Sequence, residues 1–169
     1  MNNITHFSSY SGVFFRKTQA YMKLAFKRLG LSFLEAIVLI NVCDNPGIIQ
    51  EGIANNLALD DAAVARSLKQ METGGLVRRE VDESNMRTKQ VYATAEGESC
   101  KKEIDFAMDH WNSIIFKNAT PEEQENIVTA LRRLQYKALE IDLDEALMVL
   151  GAKLQDAPRE PRNAPTDSH

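Results

Sequence analysis

Apolar residues recur at helical spacing through most of the chain, and the interruptions fall at residues that stop helices. Tyr10, Val13, Phe14, Ala20, Tyr21, Leu24 and Ala25 recur through a first helix predicted from about Phe7 to Leu29, which Gly30 ends. Ser32-Phe33-Leu34-Glu35 has the spacing of a capping box, in which a hydroxyl and a carboxylate each satisfy a backbone N–H left open at a helix start. Ile37, Val38, Ile40 and Val42 continue that second helix as far as Asn45-Pro46-Gly47. After a very short extended piece at Ile48-Ile49, Gln50 to Leu57 reads as a short helix with Ile53, Ala54 and Leu57 inward. Asp60 is placed to cap the next helix and Leu59 to staple against Val64; Val64, Leu68 and Met71 form its apolar stripe, and Gly74-Gly75 ends it in a left-handed cap.

The period then changes. Leu76 to Val81 and Gln90 to Ala93 are short strand-like runs, and the polar stretch from Asp82 to Lys89 between them predicts a hairpin. A long helix follows from about Ala95 to Lys117, with Cys100, Ile104, Ala107, Met108, Trp111, Ile114 and Ile115 on a face broad enough to need a partner. Thr120-Pro121-Glu122-Glu123 is a second capping box with proline at the first helical position. It launches Ile127, Leu131, Leu134, Ala138 and Ile141 at alternating four and three spacing, a seam for packing helix on helix. The pattern carries on through Leu147 and Leu150, with Asp142 and Asp144 as breaking points, and the polar, proline-bearing segment from Gln155 is expected to be a disordered tail.

Composition limits what this helical pattern serves. With 44% hydrophobic residues in 169, the chain suits one globular domain, or a compact module plus an assembly element. No window approaches the roughly 18 apolar residues of a membrane span, and Met1 to Ser11 is polar, so a cytoplasmic protein without membrane contact is expected. Net charge is −4 and pI about 5.4, which argues against coating nucleic acid through bulk charge. The charge is segregated, however: residues 1–34 hold Arg16, Lys17, Lys23, Lys27 and Arg28 and no acid, whereas seven acids face three bases from Glu140 onward. Cys43 and Cys100 stand alone in apolar patterns, and His6, His110 and His169 lack metal-ligand spacing, so no metal and no cofactor is expected. The chain has no Gly-rich phosphate loop and no nucleophile motif, and Glu122-Glu123 is explained by capping; an enzyme is disfavoured.

Helix, short helix, helix and hairpin in that order are the parts of a winged helix-turn-helix, in which the last helix enters a major groove and the hairpin reaches the adjacent minor groove or backbone. From Leu31 to Gly97 the chain resembles the MarR family. The resemblance is carried by Leu31-Ser32, Ile53-Ala54-x-x-Leu57, Leu59-Asp60-x-x-x-Val64-x-Arg66-x-Leu68, Glu72-x-x-Gly75-Leu76-Val77-x-Arg79 and Thr94-x-Glu96-Gly97. It implies a mainly α fold with a small β-hairpin wing, a winged helix-turn-helix core flanked by N- and C-terminal dimerisation helices. The corresponding parts are a dimerisation helix at 1–30, the DNA-binding module at 31–97, C-terminal dimerisation helices at 98–154 and the tail at 155–169. It further implies a homodimer on double-stranded DNA, reading a pseudo-palindromic operator and acting as a repressor.

On that resemblance the contacts fall to Arg66, Ser67 and Lys69 of the recognition helix and to Arg87 and Lys89 of the wing. Arg78 and Arg79 are neighbours on a strand and face opposite ways, so at most one points to DNA. Two departures bear on affinity. The family's wing tip usually reads Asp-x-Arg, and here Asn85-Met86-Arg87 replaces the acidic brace with an amide; the recognition helix opens on Asp61-Ala62-Ala63 where the family is often basic. From Asp60 to Gln90 six acids meet six bases, so affinity from bulk charge is modest. The family's usual control is a small molecule bound between dimerisation helices and core, for which Tyr10, Phe14, Tyr21 and Trp111 are the candidates for a small aromatic effector, with His6 or His110 as polar group. Plain core or dimer interface is the competing reading of that aromatic stripe. Redox sensing through Cys43 or Cys100 is a minor alternative. The rival function is a winged-helix protein-interaction module that has lost DNA binding, raised by Asp61, Ala62, Ala63 and Asn85.

Overall fold

Capping chemistry sets most of the helix boundaries in the computed structural model, which describes residues 6–82 and 85–156, without the side chains of 82–88 and 156. Helix α1 spans Phe7–Arg28 and stops where Gly30 takes φ +77°. Helix α2, Phe33–Asp44, starts from the full capping box: Ser32 Oγ accepts from the Glu35 N–H at 3.1 Å and Glu35 Oε2 accepts from the Ser32 N–H at 2.8 Å. Strand β1 (Ile48–Ile49), helix α3 (Gln50–Leu57) and helix α4 (Asp61–Thr73) follow, with Asp60 Oδ1 accepting from the Ala63 N–H at 2.8 Å. Leu59 packs against the cluster that contains Val64, as a staple requires. Gly75, at φ +75°, ends α4.

Strands β2 (Val77–Asp82) and β3 (Asn85–Ala93) form the hairpin, and β1 joins it to make an antiparallel sheet of order β1-β3-β2. The extended piece read at Ile48-Ile49 is thus a third strand, paired Ile48 to Val91 and Ile49 to Gln90. Helix α5 covers Ala95–Ile115. The core lies where α1, α2, α3, α4, α5 and the sheet converge, and Phe26, Leu39, Ile53, Leu68, Met71 and Ile104 are fully buried there. Each such side chain contributes about 1.5–3 kcal/mol through burial.

The chain falls into two compact units, residues 1–126 and residues 127–169. Helix α6 (Pro121–Leu139) opens on the second capping box, Thr120 Oγ1 accepting from the Glu123 N–H and Glu123 Oε2 from the Thr120 N–H. The helical pattern then breaks at the aspartates: α7 (Leu143–Asp156) is a separate helix, and Asp142 Oδ1 accepts from the N–H groups of Asp144 and Glu145 at 2.9 and 3.1 Å. The disordered tail expected from Gln155 is corrected at its first two residues, since α7 includes Gln155 and Asp156; 157–169 lie outside the described residues.

Gly97 lets α5 start against the end of α4. A Cβ there would stand 2.1 Å from the Leu76 carbonyl oxygen and 3.4 Å from Leu39 Cδ1. Because the nearest obstacle is backbone, Gly97→Ala is expected to lower the unfolding free energy by about 3 kcal/mol, read as a fall in the denaturant midpoint with an unchanged m-value.

Candidate nucleic-acid interface

The turn between α3 and α4 is tight because Ala58 adopts the left-handed conformation (φ 50°, ψ 49°), which lets the Leu59 N–H donate to the Ala54 carbonyl at 3.0 Å. Gln50 Nε2 reaches the Asp61 carbonyl at 3.4 Å and ties the start of α3 to the start of α4. Helix α4 then buries Val64, Ser67, Leu68 and Met71. With 3.6 residues per turn, the opposite stripe is Ala62, Arg66, Lys69 and Thr73, all exposed. Among the described residues neither Arg66 nor Lys69 enters an ion pair, so both the guanidinium and the ammonium group are available to an outside anion.

Ser67 does not belong to this face. It is 2% exposed, three residues after Val64 and four before Met71, and its hydroxyl has no hydrogen-bond partner among the described residues. Its expected role as a DNA contact is therefore withdrawn: the side chain points into the core. The acids of α4 lie off the outward stripe. Asp60 is used as a cap, while Asp61 and Glu72 sit on the flank that faces the sheet.

Strand alternation separates the two arginines of β2. Val77 and Val91 are buried on one face of the hairpin, and Arg79, in register with Val91, shares it. Arg78, in register with Tyr92, lies on the other face, with its guanidinium 4.7 Å from the Tyr92 ring centroid and paired to Glu80. Lys89 is exposed on the same side as Arg79, and both line an open cleft of about 540 Å³ between the hairpin and the starts of α3 and α4. Arg87 is part of β3, and its side chain lies outside the described residues. Sequence reasoning left Arg79 unassigned; its parity with Val77 was the available signal.

The aromatic candidates separate in the same way. Tyr21 and Trp111 stack at 4.8 Å, and Trp111 Nε1 donates to Thr18 Oγ1 at 3.1 Å across α1 and α5. Tyr21 also lines a groove of about 500 Å³ with Ala25 and Arg28 of α1 and Phe106, Ala107 and His110 of α5. Tyr10 and Phe14 are not brought to this groove and stand exposed further along α1, where His6 lies 5.7 Å from the Tyr10 ring. Phe106, Arg28 and Lys102 are groove residues that sequence spacing did not single out.

Both thiols are free and half-buried. Burial first, then the charge of Glu98, pushes the Cys43 thiol up to about 12, against a smaller opposing pull from Lys101. Burial and then Glu103 and Glu96 also raise Cys100. Lys101 is held protonated mainly by its 2.8 Å hydrogen bond to Asp105. No group of three His, Cys, Asp or Glu side chains among the described residues is arranged to hold a metal, and no helix among them is long and apolar enough to cross a membrane.

A helix-turn-helix followed by a hairpin, with a basic outward stripe on its second helix, defines a winged-helix protein. Residues 29–87 match the model of the MarR family. The HTH-type transcriptional regulator YybA of Bacillus subtilis (strain 168) is 29% identical over 124 residues, 73% of this chain and 83% of the relative. The transcriptional regulator HosA of Escherichia coli O157:H7 is 33% identical over 93 residues, 55% of this chain and 69% of the relative. Among solved structures, the transcriptional regulator SlyA superposes with a TM-score of 0.71 at 30% identity, covering 78% of this chain and 93% of that one. A MarR family transcriptional regulator from Listeria monocytogenes complexed with 26mer DNA superposes at 0.74 with 25% identity, covering 90% of this chain and 96% of that one. The chain belongs to the MarR family of transcriptional regulators.

The thiol environments make a prediction of their own. An unfolded cysteine ionises near pH 8.5, whereas Cys43 in the folded protein keeps its proton to about 12. The proton is therefore held more tightly by the folded state; this contribution to stability is complete below about pH 8.5 and is lost as pH rises toward 12. Peroxide and iodoacetamide are expected to react slowly with the native protein at pH 8, as followed by mass spectrometry, and a Cys43→Ala variant should lose less stability between pH 8 and 10.5 than the parent. Rapid modification of Cys43 at pH 8 would contradict the assignment.

Proposed function

We propose that the protein is a dimeric, sequence-specific DNA-binding repressor, relieved by a small aromatic effector. The carrying observation is the outward stripe of α4. Arg66 and Lys69 project from it without an ion pair among the described residues, Ala62 leaves its N-terminal half sterically open, and Lys89 flanks it from the wing. Arg66 is suited to bidentate contact with the O6 and N7 acceptors of guanine and Lys69 and Lys89 to phosphates, while Arg87 is assigned the minor groove on the family resemblance alone. Specific geometry has to carry the affinity, because the module contributes as many acids as bases.

Dimerisation is supported by apolar surface that no described residue covers. Phe7, Tyr10, Phe14 and Phe15 on α1 are 43–69% exposed, and in the second unit Leu131, Leu134, Leu147 and Leu150 are 47–62% exposed. Surfaces of this kind mark assembly. A two-fold dimer presents its recognition helices to half-sites about 10 base pairs apart, hence a pseudo-palindrome. Cytoplasmic placement accords with such a role, and repression by occupying a promoter needs no further contact surface.

The groove between α1 and α5 is the candidate effector site. Tyr21, Phe106 and Ala107 offer apolar contact and Arg28, Lys102 and His110 offer partners for a carboxylate, which suits an aromatic acid. Tyr10 and Phe14 are better placed for the dimer contact.

In salt-dependent binding to DNA flanking its own gene, the wild type is expected to bind saturably. Arg66→Ala should weaken specific binding by about 10- to 100-fold, while Ser67→Ala leaves it unchanged. Absence of binding above competitor DNA at low salt would favour a winged helix that serves a protein partner. Trp111 is the single tryptophan of the chain, so an aromatic carboxylate entering the groove should perturb its emission, and Phe106→Ala should abolish the change; an unaltered spectrum at millimolar ligand would remove this class of effector.

A further inference from the structure

The open cleft beside the recognition helix contains a cation whose bonding is incomplete. Arg79 is 20% exposed, and its Nε is buried without a hydrogen bond among the described residues, although it lies 3.5 Å from Glu72 Oε2. A guanidinium offers five donors in a fixed fork, and a single long approach from one carboxylate leaves most of them open to a further acceptor. Arg79 and Lys89 form the hairpin wall of the cleft, and Asp61, Gln50 and Glu51 stand on the wall made by the starts of α4 and α3.

The position of the cleft specifies what passes over it. If α4 lies in a major groove and the hairpin in the adjacent minor groove, the sugar-phosphate strand separating those grooves must cross the interval between α4 and the hairpin. Arg79 and Lys89 line that interval. We propose that Arg79 is a phosphate clamp on this strand, with Glu72 as the counter-ion that holds the guanidinium in place until DNA arrives. The inference rests on the DNA-binding reading above.

On binding, the guanidinium gives up its 3.5 Å approach to Glu72 for direct hydrogen bonds to phosphate, and Glu72, 45% exposed, passes to solvent. Phosphate competes well because it accepts the guanidinium fork bidentately. Glu51 and Asp61 repel a phosphate and so confine it to the hairpin side of the cleft. This explains how a cleft of mixed charge accepts an anion: two carboxylates on one wall oppose two cations on the other. Arg78, engaged by Glu80 and the Tyr92 ring on the far face of the sheet, takes no part.

The test is methylphosphonate substitution, one phosphate at a time, in a duplex carrying the preferred site, with wild type, Arg79→Ala, Arg79→Lys and Glu72→Gln compared at several salt concentrations. Wild type should lose affinity when the phosphate between the two contacted grooves is neutralised. Arg79→Ala should bind about tenfold more weakly, lower the salt slope by about 0.9 per half-site, and show no further loss at that phosphate. Arg79→Lys should restore the salt slope but not the full affinity, and Glu72→Gln should bind more tightly than wild type with the phosphate penalty retained. Thermal unfolding of each variant separates misfolding from lost contact. An undiminished penalty in folded Arg79→Ala, or weaker binding by Glu72→Gln, would overturn the clamp while leaving DNA binding intact. Absence of wild-type binding to any duplex would overturn both.

Discussion

The hydroxyl of Thr94 joins the recognition helix to the rest of the protein. It donates to the Gly75 carbonyl at 2.6 Å, lies 3.2 Å from that of Leu76, and accepts from the Gly97 N–H at 3.1 Å. One side chain thus touches the stop of α4, the entry to β2 and the first turn of α5. The Thr94 N–H adds a 3.0 Å bond to the Leu76 carbonyl, and Gly97 supplies the space for that approach. These few atoms, with the Gln50 tie at the start of α4, hold the direction in which α4 presents Arg66 and Lys69. Packing of Leu68 and Met71 holds the helix down, and the hydrogen bonds at its end add contacts of fixed length to that packing.

That constraint explains how an acidic chain can present a basic outward stripe. Charge is sorted by position on the helix. On α4, Asp60 is consumed by the helix start and Glu72 is turned toward Arg79, so the outward stripe is left to Arg66 and Lys69. Net charge describes solubility and long-range attraction, not what one face of one helix offers.

Most of the fold was legible because its boundaries are local chemistry. Ser32 with Glu35, Asp60, and Thr120 with Glu123 cap helices within four residues of chain, and Gly30 and Gly75 take left-handed conformations that side chains disfavour. The site was less legible for two different reasons. Ser67 was assigned through its neighbours Arg66 and Lys69, yet helical geometry places it with Val64 and Met71, so the information was present and outweighed by motif position. The choice between Arg78 and Arg79 rested on the strand face: Arg79 shares the parity of Val77, and the burial of Val77 with Val91 in the sheet decides that this face turns inward. Trp111 and Thr18 meet across 93 residues of sequence, and nothing local announces that contact.

On the proposed function, the effector groove and the DNA-facing helix are joined through one helix, α5. The groove that suits an aromatic acid is built from α1 and α5, and α5 begins at the Thr94 and Gly97 junction that aims α4. A ligand that parted α1 from α5 would have to break or tilt the Trp111–Thr18 bond and the Tyr21–Trp111 stack, a cost that binding must offset. Any resulting tilt of α5 reaches the recognition helix through bonds of about 3 Å with little slack. The thiols of α2 and α5 lie near this path, and burial first, then their acidic neighbours, raises both above the ordinary thiol range, which disfavours control through cysteine chemistry.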